Sequence, residues 1–131
     1  MTSLNTEMEM LLWCALLYIA QVIIAAAAAD MKNGPAWGLS NRDNMPATSD
    51  FIGRSQRAYH NMEESLLPFA CIALLIQSTG STGDMSALGA TIFFYSRVLH
   101  AGFYLAGITG VRSLAYFGGL IGMGMMVYQV F

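Results

Sequence analysis

Three polar side chains recur at helical spacing in the stretch RAYHNMEESLLPF, which begins at Arg57. At about 100° per residue, Arg57, Asn61 and Glu64 fall within about 60° of one another on one face of a helix. The sequence that follows this stretch is strongly apolar, so the helix that carries it is predicted to lie in a membrane. Ionisable groups at membrane depth face a bundle interior or a water-filled cavity, because lipid cannot satisfy them. This stripe is therefore a candidate functional site.

A second polar set lies further along the chain, where Arg97, His100 and Tyr104 share one helical face inside an apolar run. A guanidinium inside a helix bundle needs an anionic partner, and Glu64 is the obvious candidate. We therefore predict a structural ion pair between Arg97 and Glu64 that joins two helices. Holding the helices together is also a sufficient role for this pair, and that alternative stays open.

The third polar feature is Arg112 followed by Ser113, at the start of the last apolar run. A helix N-terminus beside a guanidinium favours bound anions and lowers the pKa of a thiol held there. The two residues are thus a candidate catalytic pair for thiol chemistry. Arg112 alone is also typical of a residue that only anchors membrane topology.

Four apolar runs must position these residues. The chain has 131 residues, of which 56% are hydrophobic and 11% charged, a balance typical of membrane proteins. A helix of about 20 residues spans a hydrocarbon core of about 30 Å. We predict one all-α domain over residues 1–131, an integral membrane four-helix bundle with spans at about 8–30, 55–78, 85–107 and 112–130. Gly118 and Gly122 in the last span have the GxxxG spacing that permits close helix approach.

Basic residues are few and unevenly placed. Six Lys and Arg are too few and too scattered to bind nucleic acid. They concentrate in or beside the first and third loops, which the positive-inside rule places in the cytoplasm, with both termini outside. Residues 1–10 carry two Glu and no Lys or Arg, which favours an uncleaved first span over a signal peptide. Cys14 and Cys71 lack metal-ligand spacing, so no metal site is predicted.

Together these motifs resemble those of the MAPEG family, the membrane-associated proteins in eicosanoid and glutathione metabolism, over nearly the whole chain. The second helix of the family carries R-A-x-x-N-x-x-E-x-x-x-P-F, matched by Arg57, Ala58, Asn61, Glu64, Pro68 and Phe69. The third carries R-x-x-H-x-x-x-Y, matched by Arg97, His100 and Tyr104. The fourth opens with an Arg-Ser pair, matched by Arg112 and Ser113.

The resemblance, to a small prokaryotic-type member, implies a homotrimer in a bacterial inner membrane, with glutathione as co-substrate between adjacent subunits near the cytoplasmic side. It implies that the tripeptide is bound by Arg57, Asn61, Glu64, His100 and Tyr104. It also implies that Arg112 holds the glutathione sulfur as a thiolate, with Ser113 nearby. Lys32 is the nearest match to an arginine with which other members bind a glutathione carboxylate. The thiolate would attack an apolar electrophile or a lipid hydroperoxide that arrives from the membrane lipid.

Three functions are consistent with the sequence. The first is a glutathione-dependent transferase or peroxidase of the MAPEG type, which the presence of Arg112 and Ser113 favours. The second is a non-catalytic relative that binds lipid or partners another protein. The third, a small multidrug transporter, is less favoured, because such proteins need a carboxylate deep in the first span and residues 10–29 contain none.

Overall fold

The computed structural model of this chain describes residues 3–43 and 49–131, and the remainder of the predicted domain lies outside these ranges. In the two described ranges the regular secondary structure is helical throughout, which confirms the all-α prediction. Four long helices of the described part of the chain form the bundle, and a short helix of one turn follows the first. The helices are α1 (Thr6–Asn33), α2 (Pro35–Gly38), α3 (Asp50–Thr79), α4 (Asp84–Ala106) and α5 (Gly110–Val130).

Capping side chains and glycines define several helix ends. The side chains of Asn5 and Ser49 accept hydrogen bonds from backbone N–H groups three residues later, at 3.0 and 3.2 Å, so α1 and α3 each begin at a capping residue. Gly80 directly follows α3 and Gly107 directly follows α4, with φ angles of 67° and 79° that glycine adopts without a Cβ clash. These terminations permit the short loops that join α3, α4 and α5.

Contacts between helix ends show that successive long helices run antiparallel. At one end of the bundle, the Ser86 hydroxyl at the start of α4 donates to the Glu7 carboxylate at the start of α1. At the other end, Arg54 Nε near the start of α3 donates to the carbonyl oxygen of Leu105 near the end of α4, at 3.3 Å. The arrangement is therefore up-down-up-down. It places the end of α1, the start of α3, the end of α4 and the start of α5 together.

Small residues bring α4 and α5 into close contact. A Cβ on Gly89 would lie 2.4 Å from the carbonyl oxygen of Gly122, and a Cβ on Gly122 would lie 2.5 Å from that of Gly89. A Cβ on Gly118 would lie 2.7 Å from the Ser96 hydroxyl. The close approach predicted from Gly118 and Gly122 is confirmed, and its partner is α4.

The centre of the bundle combines an apolar core with one charged side chain. Phe69 of α3 and Phe93 of α4 stack there with ring centroids 4.1 Å apart. Arg97 lies one turn further along α4 and is only 1% exposed. Its charge therefore depends on partners inside the chain rather than on water.

Two of the described helices are long and apolar enough to cross a membrane. They are α1, with 28 residues and a mean hydropathy of 2.3, and α5, with 21 residues and a mean hydropathy of 1.2. Only 17% of the most apolar part of α1 is buried inside the chain, and large side chains such as Trp13, Leu16 and Ile23 face outward. An apolar helix that is mostly uncovered indicates contact with lipid. The crossing of all four long helices stays a prediction.

Candidate functional site

An open cavity of about 300 Å³ lies where α3, α4 and α5 meet, near the start of α5. Its walls combine polar and aromatic side chains: Asn61 from α3, His100 and Tyr104 from α4, and Arg112, Ser113, Tyr116 and Phe117 from α5. Five of these seven residues are ones that the sequence predicts for a site. The fold brings them together from positions separated by up to about 50 residues, because the start of α5 returns to the end of the bundle where α3 begins.

The first turns of α5 bring a cation and two hydroxyl groups to this cavity. The guanidinium carbon of Arg112 lies 4.2 Å from the centre of the Tyr104 ring, a cation–π contact that holds the side chain across the gap between α5 and α4. Ser113 follows directly and is exposed, and Tyr116 lies one helical turn beyond Arg112 on the same side. α5 thus presents a guanidinium, a hydroxyl and a phenol to the same cavity.

Arg97 lies behind the cavity and contacts both α3 and its own helix. Its Nε donates to the sulfur of Met62 at 3.3 Å, and its Nη1 donates to the Ser65 hydroxyl at 3.4 Å. Its Nη2 lies 3.3 Å from Nδ1 of His100, which is itself only 3% exposed. The buried cation therefore has a thioether, a hydroxyl and an imidazole as partners.

The predicted ion pair between Arg97 and Glu64 is not formed within this chain. Glu64 is exposed, whereas Met62 and Ser65, which do contact Arg97, are buried. Glu64 lies two positions after Met62, which is about 200° around the helix, so Glu64 points away from the core. Helical spacing shows which residues share a face, but it does not show which face meets the bundle.

Three predicted binding residues lie outside the cavity in the single chain. Arg57 is exposed on α3, one turn before Asn61. Glu64, one turn after Asn61, lines a neighbouring cavity of about 440 Å³ on the outer side of α3. Lys32 is exposed at the end of α1 and lines another cavity, of about 430 Å³, against the start of α3. One chain thus joins Asn61 with the α4 and α5 residues but does not bring these three to them.

Tyr116 and Phe117 complete the cavity, although they are not among the predicted site residues. Tyr116 has a signal in the sequence, because it lies four residues after Arg112 and so shares its helical face. Phe117 has none, since an aromatic residue in an apolar run is equally typical of a side chain that faces lipid. Its place beside the cavity follows only from the way α5 packs.

The cavity is rich in hydrogen-bond donors. None of its seven lining residues is acidic, and they include one guanidinium, one serine hydroxyl and two phenols. Asn61 adds an amide whose buried oxygen has no hydrogen-bond partner among the described residues. Such a set suits an anionic ligand that also carries N–H groups, and the volume is at the lower end of the range for small-molecule sites.

Comparison with models of known protein families gives a match. The model of the MAPEG family matches residues 10–131, which is nearly the entire chain and includes all the residues that line the cavity. A search of curated proteins finds no match.

Proposed function

The chain belongs to the MAPEG family, and from this premise we propose that it is a glutathione-dependent membrane enzyme, a transferase or peroxidase acting on apolar electrophiles or lipid hydroperoxides. The observation that carries the proposal is the convergence of Arg112 and Ser113 with His100, Tyr104 and Asn61 on one cavity. A donor-rich cavity without a carboxylate suits a tripeptide that has two carboxylates, two amides and a thiol.

Arg112 is the group that activates the thiol in this proposal. A free thiol of this kind has a pKa of about 8.5, and the thiolate is the nucleophile. A guanidinium within hydrogen-bond reach favours the charged form and so lowers the pKa of the bound thiol. Tyr104 holds Arg112 by its ring face, which leaves the guanidinium edge free to donate to sulfur. The Ser113 hydroxyl, beside it, is a second donor to the thiolate.

The thiolate supports either of two reactions. In a transfer reaction, the sulfur forms a bond to an electrophilic carbon, and the displaced electron pair leaves with a leaving group or is protonated. In a peroxidase reaction, the sulfur attacks a hydroperoxide oxygen and the O–O bond breaks. A second glutathione then completes the reduction, which gives an alcohol, water and glutathione disulfide. The exposed apolar side chains of Leu114 and Phe117 beside Ser113 favour a substrate that arrives from lipid.

The three predicted binding residues outside the cavity support a homotrimer with shared sites. Glu64 and Arg57 are exposed on α3, and ionisable groups at membrane depth face protein or water rather than lipid. A neighbouring subunit packed against this face would cover them. Lys32 lines a different cavity of its own chain, so in the proposal it contributes to the site of an adjacent subunit and binds a glutathione carboxylate there.

The distribution of charge supports four spans with the site near the cytoplasm. Of the six Lys and Arg residues, only Arg97 lies in the middle of the bundle, and the other five are at or near the end that holds the cavity. The opposite end carries Glu7, Glu9 and Asp84. By the positive-inside rule, the cavity end faces the cytoplasm and both termini lie outside, as expected for a multi-pass protein of a bacterial inner membrane.

Thiolate formation tests the proposal directly. Purified protein in detergent is titrated with glutathione at neutral pH, and the thiolate is followed by its ultraviolet difference absorbance. We expect a signal from the unsubstituted protein that Arg112→Ala removes, together with a fall of about 10²-fold in glutathione-dependent turnover. Arg42→Ala is the matched control, because Arg42 is a cation at the same end that does not line the cavity.

Two results would overturn the proposal. A thiolate signal of equal size in Arg112→Ala would remove that residue from thiol activation. Absence of the signal, with no heat of glutathione binding by calorimetry, would favour the non-catalytic lipid-binding alternative and leave Arg112 as a topology anchor.

A further inference from the structure

The contact between Arg97 and His100 defines the protonation pattern of the imidazole ring. A guanidinium has only N–H donors, so at 3.3 Å from Arg97 Nη2 the Nδ1 atom of His100 must act as the acceptor. An acceptor nitrogen carries no proton. The ring is then neutral, and its single proton lies on Nε2.

The Nε2 atom is the part of the His100 ring that remains available to a ligand. Nε2 has no hydrogen-bond partner among residues 3–43 and 49–131 and is not one of the buried polar atoms that lack one, so it retains access to the cavity that His100 lines. The rings of Tyr104 and Tyr116 lie 5.5 and 6.5 Å from the imidazole, centroid to centroid, and restrict its rotation. The ring therefore presents one defined edge to the cavity.

We propose that Arg97 is a positioning residue, which holds His100 in the Nε2–H tautomer so that the ring donates a hydrogen bond to an acceptor oxygen of the bound ligand. The acceptor would be a carboxylate or an amide carbonyl oxygen of glutathione. The identity of this ligand rests on the proposed function, whereas the tautomer is a property of the ligand-free protein.

The packing of Arg97 explains why the arrangement is stable. The side chain is buried, and its other partners, the sulfur of Met62 and the hydroxyl of Ser65, are weak or neutral acceptors. The imidazole nitrogen is the most basic acceptor that the guanidinium contacts. Loss of this contact would leave buried N–H groups without a partner, which is costly in an apolar surrounding. The hydrogen bond therefore acts on both residues: it gives a buried N–H group of Arg97 a partner, and it keeps Nδ1 of His100 unprotonated.

Nitrogen NMR of the histidine rings tests the tautomer without any ligand. The chain has two histidines, so ¹⁵N-histidine labelling in lipid nanodiscs gives two imidazole spin systems. His60 is exposed and serves as the internal reference, and His60→Gln assigns the remaining signals to His100. We expect His100 in a single Nε2–H form. A dominant Nδ1–H form, or an imidazolium, at neutral pH would overturn the proposal without any change to Arg97.

Three substitutions separate positioning from a general structural role. Arg97→Met keeps the length of the side chain and removes its donors, and we expect it to produce a mixture of His100 tautomers. Arg97→Lys restores a donor and is expected to recover the Nε2–H form. Ser65→Ala removes a different partner of Arg97 and is expected to leave the His100 signals unchanged. An unchanged His100 spectrum in folded Arg97→Met would contradict the proposal.

Glutathione binding tests the second half of the inference. Because Arg112 remains intact, we expect Arg97→Met to raise the Kd and KM for glutathione about fivefold while kcat changes by less than about twofold, which corresponds to the loss of one hydrogen bond. A fall in kcat with unchanged KM would exclude a role in ligand positioning. If the unsubstituted protein binds no glutathione, the proposed function fails, and the tautomer experiment still decides the role of Arg97.

Discussion

Asn61 lies in the cavity wall with a buried side-chain oxygen that has no hydrogen-bond partner among the described residues. An unpaired buried acceptor lowers stability, and in a cavity wall a rotation of the amide would bring the oxygen to a ligand N–H group that pairs with it. We expect Asn61→Leu to raise the melting temperature of the ligand-free protein, by an amount equivalent to about 1 kcal/mol, and to weaken glutathione binding about fivefold. Thermal unfolding in detergent and calorimetric titration measure the two effects.

Gln21 is the matched control for this prediction. It is buried in α1, and neither polar atom of its side chain has a partner among the described residues. It does not line the cavity. Gln21→Leu should therefore stabilise the protein as Asn61→Leu does and leave glutathione binding unchanged. Equal weakening of binding by both substitutions would show that Asn61 acts through stability rather than through contact with the ligand.

At the scale of single residues, the sequence predicts which residue types form the candidate site better than it predicts which residues contact one another. Spacing along α3 correctly groups Asn61 with Arg57 and Glu64, yet only Asn61 reaches the cavity. Charge alone predicts Glu64 as the partner of Arg97, whereas the side chains that contact it are those on the buried face of α3. Which face is buried depends on packing among several helices, and in a membrane helix hydropathy does not separate the face that meets protein from the face that meets lipid.

The contact between α4 and α5 determines where Arg112 and Ser113 lie, because these residues reach the cavity from α5. Gly122→Ala places a Cβ 2.5 Å from the carbonyl oxygen of Gly89, and backbone cannot yield to it. We expect this substitution to destabilise the protein by about 1–3 kcal/mol and to reduce the thiolate signal, since α5 must shift. Thermal unfolding and the ultraviolet titration, both in detergent, test this.

Gly124→Ala is the control on the same helix. A Cβ at Gly124 meets no atom within 4 Å, and alanine favours helix by about 1 kcal/mol over glycine. It should leave both stability and the thiolate signal at or above those of the unsubstituted protein. A similar loss in both variants would mean that any side chain on α5 is harmful, and the argument from close packing would fail.

The long helices are largely readable from the sequence, because apolar runs must become helical where no water satisfies the backbone. Two features escape this reasoning. α3 begins at Asp50, before the apolar run, because Ser49 caps a polar first turn that hydropathy does not detect. α2 has only four residues, within a stretch of glycine and proline whose composition is typical of a loop.

At the scale of the whole molecule, the proposed assembly is a trimer, and one prediction depends on the sites that adjacent subunits share. Lys32 and Arg112 lie in different cavities of one chain. If they meet only across a subunit boundary, Lys32→Glu and Arg112→Ala damage different halves of each site. Random co-assembly of the two variants should then restore both residues in about a quarter of the sites, because each site takes one half from each of two adjacent subunits in a ring.

Glutathione-dependent turnover of the co-expressed variants measures this recovery. The comparison is a mixture of the two variants purified separately, in which subunits do not exchange, and native mass spectrometry of the co-expressed protein confirms mixed trimers. Turnover above that of the separate mixture is expected only if one site uses residues of two chains. Mixed trimers without recovery would mean that Lys32 and Arg112 act in a site formed by a single chain, or that Lys32 is not part of the site. The exposed polar residues of α3 would then require another explanation.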